Sequence, residues 1–264
     1  MELIKQLREM SGAGMVDCKK ALEEAGSDLN KAMEILRKKG ISKAAKRSDH
    51  EANEGVVKVA VSGDQSEGYI LELSSETDFV SRNEKFQALA ESILNLVKEK
   101  KPADTAALLA LSLEGASVQE AIAHLSGTIG ERMEIKHFVT VPGASVAAYS
   151  HMGGRMGVLV ALDQPGKADL AMDIAMQVAA ANPKYILPSE VDPAEMAKEQ
   201  DIYKEQLIKE GKPANMVDKI VAGKMGKYYS EVCLTEQEYI KDDKKKIKDL
   251  LGAAKILKFV RYSL

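Results

Sequence analysis

The sequence predicts an α+β protein in which antiparallel sheets are backed by helices. Three observations carry this prediction. Apolar residues in the first 40 positions recur only at helical spacing, a pattern of strand, strand, helix and strand occurs twice after position 55, and a long helical segment interrupts the second copy. The predicted segments are a three-helix bundle (1–40), a linker (41–54), core unit 1 (55–142), core unit 2 (143–189 and 233–264) and an inserted helical hairpin (190–232).

The N-terminal bundle is predicted from three helical stretches that glycines separate. The first stretch has one apolar face, made of Leu3, Ile4, Leu7 and Met10. Residues 11–14 (SGAG) then form a tight turn, and Gly26 ends the second helix. Ser27 or Asp28 caps the third helix, which we expect to end at Gly40.

The linker at residues 41–54 carries many charges and few apolar side chains. We expect a helical extension at its start and an irregular chain after it. Such a linker would let the bundle and the core dock on separate faces of a partner. His50 is interpreted as an exposed histidine without a ligand.

The core strands are predicted by alternating apolar residues, at 57–61, 69–73 and 135–141, and again at 146–150, 156–162 and 256–262. The third strands of the two units have similar sequences, KHFV at 136–139 and LKFV at 257–260. The glycine cluster GGRMG at 153–157 lies between two strands and lacks the spacing of a phosphate loop. We therefore interpret these residues as hairpin glycines with positive φ.

The inserted segment predicts an antiparallel coiled-coil hairpin. Pro193 starts a helix with a narrow apolar stripe, and residues 211–213 (GKP) end it. The two stripes are Met196, Gln200, Tyr203 and Leu207, then Met216, Ile220, Met225 and Tyr229. The charged run KDDKKK at 241–246 is expected to be a solvated linker, with RNA binding as the lesser alternative.

The composition narrows the function classes. A net charge of −3 gives no basic excess for binding nucleic acid. No apolar run is long enough to span a membrane, and the N-terminus resembles neither a signal nor a transit peptide, so a cytoplasmic protein is expected. Cys18 and Cys233 are expected to be buried free thiols in a reducing compartment. The sequence lacks hydrolase, phosphate-loop and metal-site motifs, so no reaction, cofactor or metal is predicted.

Residues 77–80 lie where a predicted strand meets a predicted helix, a kind of junction that is found at the surface. Ser81 and Glu84 have the spacing of a capping box, which would start the helix directly after Ser81. Two interpretations of Phe79 remain open at this point. The ring either packs under the helix as a hydrophobic staple, while Asp78 satisfies helix amides, or it is an exposed contact.

Two stretches resemble the signatures of one protein family. Residues 72–82 (ELSSETDFVSR) and residues 7–22 (LREMSGAGMVDCKKAL) are similar to the second and first signatures of translation elongation factor Ts. The chain departs from that family at Ser74, usually Asn or Val, and at Val16, commonly a second Met. The family is the guanine nucleotide exchange factor for the GTPase elongation factor Tu, so the resemblance implies a protein partner. The N-terminal bundle resembles, more loosely, the ubiquitin-associated type of three-helix domain.

The resemblance also implies which residues meet the GTPase. The segment that would displace Mg²⁺ from the GTPase is Thr77, Asp78, Phe79 and Val80. Phe79 would act as a wedge near the switch II region, and Asp78 would help to position it and add negative charge near the metal.

Contacts away from this segment are implied as well. Arg8, Met15 and Val16 would contact a helix of the GTPase domain. The YSH segment that ends at His151 is similar to the family's Tyr-x-His-Gly segment, which would put His151 at the exchange interface. Here Met152 separates the histidine from the glycines, a one-residue difference.

The implied partner is elongation factor Tu, GDP-bound or nucleotide-free, without nucleic acid or membrane. The sequence leaves the oligomeric state open, including a homodimer and a 2:2 complex with the GTPase. Other functions also stay open. One is a non-exchanging adapter built on the ubiquitin-associated-like module, in which residues 77–80 would be inert. Another is an RNA-binding translation accessory protein, whose binding would depend strongly on salt, and an unrecognised enzyme is the last alternative.

Overall fold

The computed structural model describes residues 1–45, 47 and 49–264. These residues form an α+β structure with two three-stranded antiparallel sheets. The sheets pack face to face, and the apolar cluster between them is Val57, Ile70, Val141, Val146, Leu159 and Ala161. Helices cover the outer face of each sheet, so the layers run helix, sheet, sheet, helix.

The N-terminal helices are α1 (Glu2–Ser11), α2 (Met15–Glu24) and α3 (Leu29–Ala45), which pack around their own apolar cluster. Leu7 of the predicted first face is fully buried, but Leu3 and Met10 are exposed, so that face is narrower than predicted. Asp28 caps α3 by accepting hydrogen bonds from two amides of the first turn. The predicted turn is present, since Gly12 ends α1 in the left-handed conformation at φ 70°.

The first core unit contains β1 (Glu54–Val61), β2 (Glu67–Ser75), α4 (Asp78–Ser81), α5 (Glu84–Lys100), α6 (Thr105–Ala110), β3 (Ser112–Leu113), β4 (Ala116–Ser117), α7 (Val118–Ile129) and β5 (Met133–Pro142). The sheet has the order β1-β2-β5, and both pairings are antiparallel. The three predicted strands lie within β1, β2 and β5, so these predictions are confirmed. Phe86, Ile93 and Val97 of α5 are buried against this sheet.

Gly40 does not end α3, contrary to the prediction, because the helix continues to Ala45. Its backbone lies against Gly127 of α7. Packing against a neighbouring helix can offset the roughly 1 kcal/mol by which glycine disfavours a helix interior. The helical extension expected at the start of the linker is present and continuous with α3. Two linker residues, Lys46 and Ser48, lie outside the described residues.

The second core unit contains β6 (Ser145–His151), β7 (Met156–Leu162), α8 (Ala168–Ala181), α9 (Pro193–Lys209), α10 (Ala214–Val232), β8 (Glu238–Tyr239), β9 (Asp242–Lys246), α11 (Ile247–Leu251) and β10 (Ile256–Ser263). Its sheet has the order β6-β7-β10. Both three-stranded sheets thus place their strands in chain order. Phe138 of β5 and Phe259 of β10, at matching positions in the two similar third strands, each pack against the helix-side cluster of their own unit.

Helices α9 and α10 form an antiparallel hairpin with its own apolar cluster. Leu207 of the predicted first stripe is buried, and Met196 and Tyr203 pack against the cluster. Of the predicted second stripe, Met225 is buried and Ile220 and Tyr229 pack against the cluster, so this part is confirmed, but Met216 is exposed. The most buried face of α10 also includes Val217, Val221 and Tyr228. It lies beside the predicted stripe because the sequence offers two neighbouring apolar faces on α10, and contact with α9 selects between them.

Residues 241–246 are largely exposed, as predicted, but they form part of a hairpin and not a linker. Tyr239 and Ile247 are buried on either side of this run, and the chain between them folds into the short hairpin of β8 and β9. Lys241 pairs with Asp173 at 2.7 Å, and Lys246 pairs with Glu236 at 3.0 Å. The charged residues therefore decorate a small hairpin that buried anchors hold in place.

Two remaining expectations concern the thiols and membrane spans. Cys18 and Cys233 are buried free cysteines, as predicted. Within the described parts of the chain, no helix is both long and apolar enough to cross a bilayer.

Candidate functional site

Phe79 projects from the surface between the end of β2 and the start of α5. Its side chain is 82% exposed, so the hydrophobic-staple interpretation is wrong. Val80, the next residue, is only 5% exposed and belongs to the apolar cluster between the first sheet and its helices. The short helix α4 points these neighbours in opposite directions, with Val80 buried and Phe79 in solvent.

The predicted capping box at Ser81 is also wrong. Asn83 is the N-cap of α5, and its side chain accepts a hydrogen bond from the amide of Lys85 at 2.9 Å. The Ser81 hydroxyl instead donates to the carbonyl of Asp78 at 2.8 Å, within α4. The chain makes a separate helical turn before α5, and the sequence pattern did not reveal this restart.

Glu131 braces the backbone just before Phe79. Its carboxylate accepts two hydrogen bonds from Thr77, at 3.0 Å from the amide and 2.6 Å from the hydroxyl. The Ser75 hydroxyl donates to the Thr77 carbonyl at 3.1 Å. Hydrogen bonds to a charged acceptor are stronger than neutral ones, so Thr77 is firmly held. Sequence reasoning missed Glu131, which lies 54 positions from Thr77 and has no motif to mark it.

Glu76 holds the same backbone through a second set of contacts, one of them to the residue directly after Glu131. Its carboxylate accepts hydrogen bonds from the Arg132 amide at 2.6 Å and from Arg47 at 3.3 Å, and it pairs with His50 at 3.0 Å. Burial opposes its ionisation, but the hydrogen bonds from His50, the Arg132 amide and Arg47 outweigh burial and lower the pKa of Glu76. His50 is exposed, as predicted, and its hydrogen bond with Glu76 ties the linker to the site.

Two ion pairs lie on and beside the elements that carry Phe79. Asp78 accepts a hydrogen bond from Arg82 at 2.8 Å, and Glu54 of β1 pairs with Arg155 at 2.6 Å. The hydrogen bond from Arg155 lowers the pKa of Glu54 despite partial burial, and the charge of Arg82 acts in the same direction. The charge of Asp78 likewise helps to raise the pKa of Arg155. Glu54 lies on β1, which packs against α4, where Asp78 lies, so the two pairs are neighbours on the surface.

The turn after β6 therefore approaches the Phe79 segment. Gly153 and Gly154 have φ of 67° and 91°, which confirms the prediction of hairpin glycines with positive φ for these two, whereas Gly157 lies in β7 and has no positive φ. Gly154 lies against Val56 of β1, which also contacts α4. His151 precedes this turn, and its Nδ1 is 2.9 Å from the hydroxyl of Tyr149. His151 is exposed at the end of β6, directly before the turn.

The three predicted contact residues of the N-terminal helices are all exposed. Met15 is 47% and Val16 67% exposed, at the start of α2, and Arg8 is exposed on α1. The turn before Met15 touches the core, because a β-carbon on Gly12 would lie 2.4 Å from Nζ of Lys85 in the first turn of α5. The N-terminal turn and α4 thus flank the same helix start.

The described residues contain no group of three or more His, Cys, Asp or Glu side chains that could hold a metal ion. The dominant surface feature is instead an exposed aromatic ring on backbone that two carboxylates brace. Exposed apolar side chains on ordered backbone are typical of surfaces that bind other proteins. Fold and site together define a protein of mixed α and β structure that presents an exposed aromatic ring on hydrogen-bonded backbone.

The comparisons with known proteins identify the family. The family model described as "Elongation factor TS" matches residues 76–264. An elongation factor Ts of Chlorobium phaeovibrioides is 45% identical over 278 aligned positions, which cover 99% of this chain and 96% of that protein. An elongation factor Ts of Deinococcus deserti is 42% identical over 264 positions, covering 100% of this chain and 99% of that protein. The chain belongs to the elongation factor Ts family.

Proposed function

We propose that this chain is a guanine nucleotide exchange factor for elongation factor Tu. It binds the GDP-bound GTPase, speeds the release of GDP and so lets GTP bind during translation elongation. The observation that carries the proposal is the 82% exposed Phe79 in a chain that belongs to this family. Phe79 lies in residues 76–81, called the Phe79 loop below, whose backbone is held by the contacts of Glu131 and Glu76. No covalent bond changes in this activity, and its site of action is the cytoplasm, where bacterial elongation takes place.

Exchange requires that the factor and the nucleotide weaken each other's binding. For each tenfold loss of GDP affinity, the factor must bind the nucleotide-free GTPase about 1.4 kcal/mol more tightly than it binds the GDP-bound GTPase. The coupling is reciprocal, so GDP weakens the factor by the same ratio. The natural target is Mg²⁺, because the ion bridges the phosphates and the switch regions of a GTPase.

Phe79 is proposed to be the wedge that disturbs the Mg²⁺ site. The ring enters the GTPase near switch II, and Val80 anchors its backbone in the core of the factor. Thr77 contributes through the two hydrogen bonds to Glu131, which fix the direction of the loop. Asp78 brings negative charge near the metal, and its pairing with Arg82 limits its range of positions.

The N-terminal helices are proposed to supply a second contact. Met15 and Val16 offer exposed apolar side chains at the start of α2, and Arg8 offers a positive charge beside them. These residues would bind a helix of the GTPase domain, in the manner of a ubiquitin-associated-like module. His151 would add a contact from the turn beside β1. The hairpin of α9 and α10 is proposed to be a coiled-coil arm, and complexes with one or two copies of each protein both fit this arrangement.

The test is the release of a fluorescent GDP from purified elongation factor Tu, with and without this chain and at several Mg²⁺ concentrations. We expect the chain to speed release strongly and Phe79→Ala to lose most of that effect while its fold is unchanged. Leu257→Ala is the matched control, because Leu257 is another exposed large apolar residue, on β10 of the second sheet. A Phe79→Ala protein that exchanges at the normal rate would exclude the wedge role.

The same assay separates the alternatives. Binding to the GTPase without faster release would favour the adapter function, in which residues 77–80 are inert. The absence of any binding would contradict the proposed partner. Strong RNA binding that weakens steeply with salt would instead favour the RNA-binding function.

A further inference from the structure

The C-terminal end of α7 contacts both proposed binding surfaces. Gly127 in its last turn lies against Gly40 of the N-terminal helices, and Glu131 just beyond it holds Thr77. We infer that Gly127 and Glu131 are positioning residues that hold the N-terminal helices and the Phe79 loop in one fixed arrangement. This inference rests on the proposed function and adds the intramolecular joint that aligns its two contacts.

The contact at Gly127 is a contact between backbones. A β-carbon at Gly127 would lie 2.3 Å from Cα and 2.4 Å from the carbonyl oxygen of Gly40. Atoms cannot approach so closely, so any side chain at Gly127 must push α3 away from α7. The reverse does not hold, because a β-carbon at Gly40 would meet nothing closer than the carbonyl oxygen of His124 at 3.8 Å. The close approach therefore depends on Gly127 and not on Gly40.

Further contacts extend this interface along one face of α7. Glu120, His124 and Gly127 are spaced by four and three residues, so they share a face. Arg37 of α3 pairs with Glu120 at 2.9 Å at the solvent-accessible edge. At the other end, the turn at Gly12 lies beside Thr128. The interface thus fixes the position of the turn that leads directly into Met15 and Val16.

The residues directly after α7 connect this helix to the Phe79 loop. Gly130 ends α7 in the left-handed conformation, at φ 90°. The Ser126 hydroxyl donates to the Glu131 carbonyl at 2.6 Å, which fixes Glu131 relative to the helix. The Glu131 carboxylate then accepts both hydrogen bonds from Thr77. The end of α7 therefore contacts the N-terminal helices through Gly127 and the Phe79 loop through Glu131.

A fixed arrangement matters because the two contacts act on one partner. Once the first contact has formed, the second is intramolecular, and its strength depends on how well its position is defined. Loosening the N-terminal helices should weaken the complex without changing what Phe79 does inside it. Loss of the hydrogen bonds to Thr77 should instead make the position of Phe79 less well defined and slow GDP release within the complex.

The experiment measures GDP release at increasing concentrations of full-length variants. Gly127→Ala is expected to lower the second-order rate constant at least about tenfold, equivalent to about 1.4 kcal/mol of binding, with little change in the maximal rate. Glu131→Ala is expected to lower mainly the maximal rate. Two glycine-to-alanine controls in helices should match the wild type: Gly40→Ala in the same contact, and Gly223→Ala, which faces open space in α10.

A second measurement does not use the GTPase. Hydrogen–deuterium exchange of residues 11–22 in the isolated chain should increase in Gly127→Ala and stay unchanged in Gly40→Ala. If the wild type does not speed the release of GDP from the GTPase, the proposed function is refuted. The exchange measurement still tests whether Gly127 holds the N-terminal helices in place. Equal protection and equal rate constants for Gly127→Ala and Gly40→Ala would overturn the inference.

A milder variant covers the case in which Gly127→Ala does not fold. Arg37→Glu replaces the half-exposed Arg37–Glu120 ion pair by two like charges at the same interface. The second-order rate constant should then fall roughly two- to fivefold, the range for a surface ion pair. An Arg37→Glu protein with wild-type rate constant and wild-type protection of residues 11–22 would overturn the inference as well.

Discussion

Val80 and Phe79 are adjacent residues with opposite surroundings, so two alanine substitutions can separate the anchor from the contact. Val80 is 5% exposed and packs in the cluster that contains Leu73 and Phe86. Val80→Ala removes two buried carbons at about 0.8 kcal/mol each and leaves a small cavity, so the free energy of unfolding should fall by roughly 1.5–3 kcal/mol. Phe79→Ala alters an exposed ring, and its effect should stay within about 0.5 kcal/mol.

Calorimetric thermal unfolding of the full chain is the appropriate assay. A loss of 1 kcal/mol shifts the midpoint of a chain of this size by about 2–4 °C, so Val80→Ala should melt several degrees below the wild type. Phe79→Ala should melt with the wild type. If Phe79→Ala destabilises the chain as much as Val80→Ala does, the ring packs in the core in solution, and the division of roles between these neighbours is wrong.

Two further predictions concern buried and strained positions. Burial raises the pKa of Glu72, against the charges of His137 and Lys136, so this carboxyl contributes stability below its unfolded pKa that is lost as the pH rises through the folded pKa. Glu72→Gln should therefore unfold at higher urea than the wild type at pH 7.5 and lose that advantage near pH 4; an equal difference at both values would contradict it. Gly154→Ala should cost more than the roughly 1 kcal/mol of left-handed strain expected for Gly153→Ala, because its β-carbon would also lie 2.8 Å from Cγ2 of Val56. Equal urea midpoints for the two variants would refute this.

The strands could be predicted from the sequence because their signal is local. Alternating apolar residues follow from a sheet with one face on a core, and each predicted core strand lies within an observed one. The choice of face on α10 is different in kind. Val217 and Met216 are adjacent apolar residues, and only the position of α9 decides that Val217 is buried and Met216 exposed. Such a choice depends on tertiary contact, which a periodicity cannot contain.

The site shows the same division between local and tertiary information. Its location at the end of β2 follows from the pattern of strand and helix, whereas the exposure of Phe79 does not, because an aromatic at a junction can pack under the helix or project from it. The contacts that hold the backbone before Phe79 come from Glu131 and His50, which lie far from Phe79 in sequence and have no motif. The end of α3 was misplaced for a related reason, since the backbone contact with Gly127 keeps Gly40 helical.

The carboxylates of Glu131 and Glu76 order the backbone before Phe79. Glu131 holds Thr77, and Glu76 accepts a hydrogen bond from the Arg132 amide, so two neighbouring carboxylate contacts tie the backbone before Phe79 to the segment after α7. Ordering a flexible loop at the moment of binding would cost about 1–2 kcal/mol of conformational free energy per residue. A loop that folding has already ordered avoids this cost on binding, so more of the interaction energy is available to distort the partner. Because the hydrogen bonds lower the pKa of Glu76, its brace is lost only as the pH falls through that lowered value. The hydrogen bonds to Glu76 are therefore present at neutral pH, as the proposed wedge role of Phe79 requires.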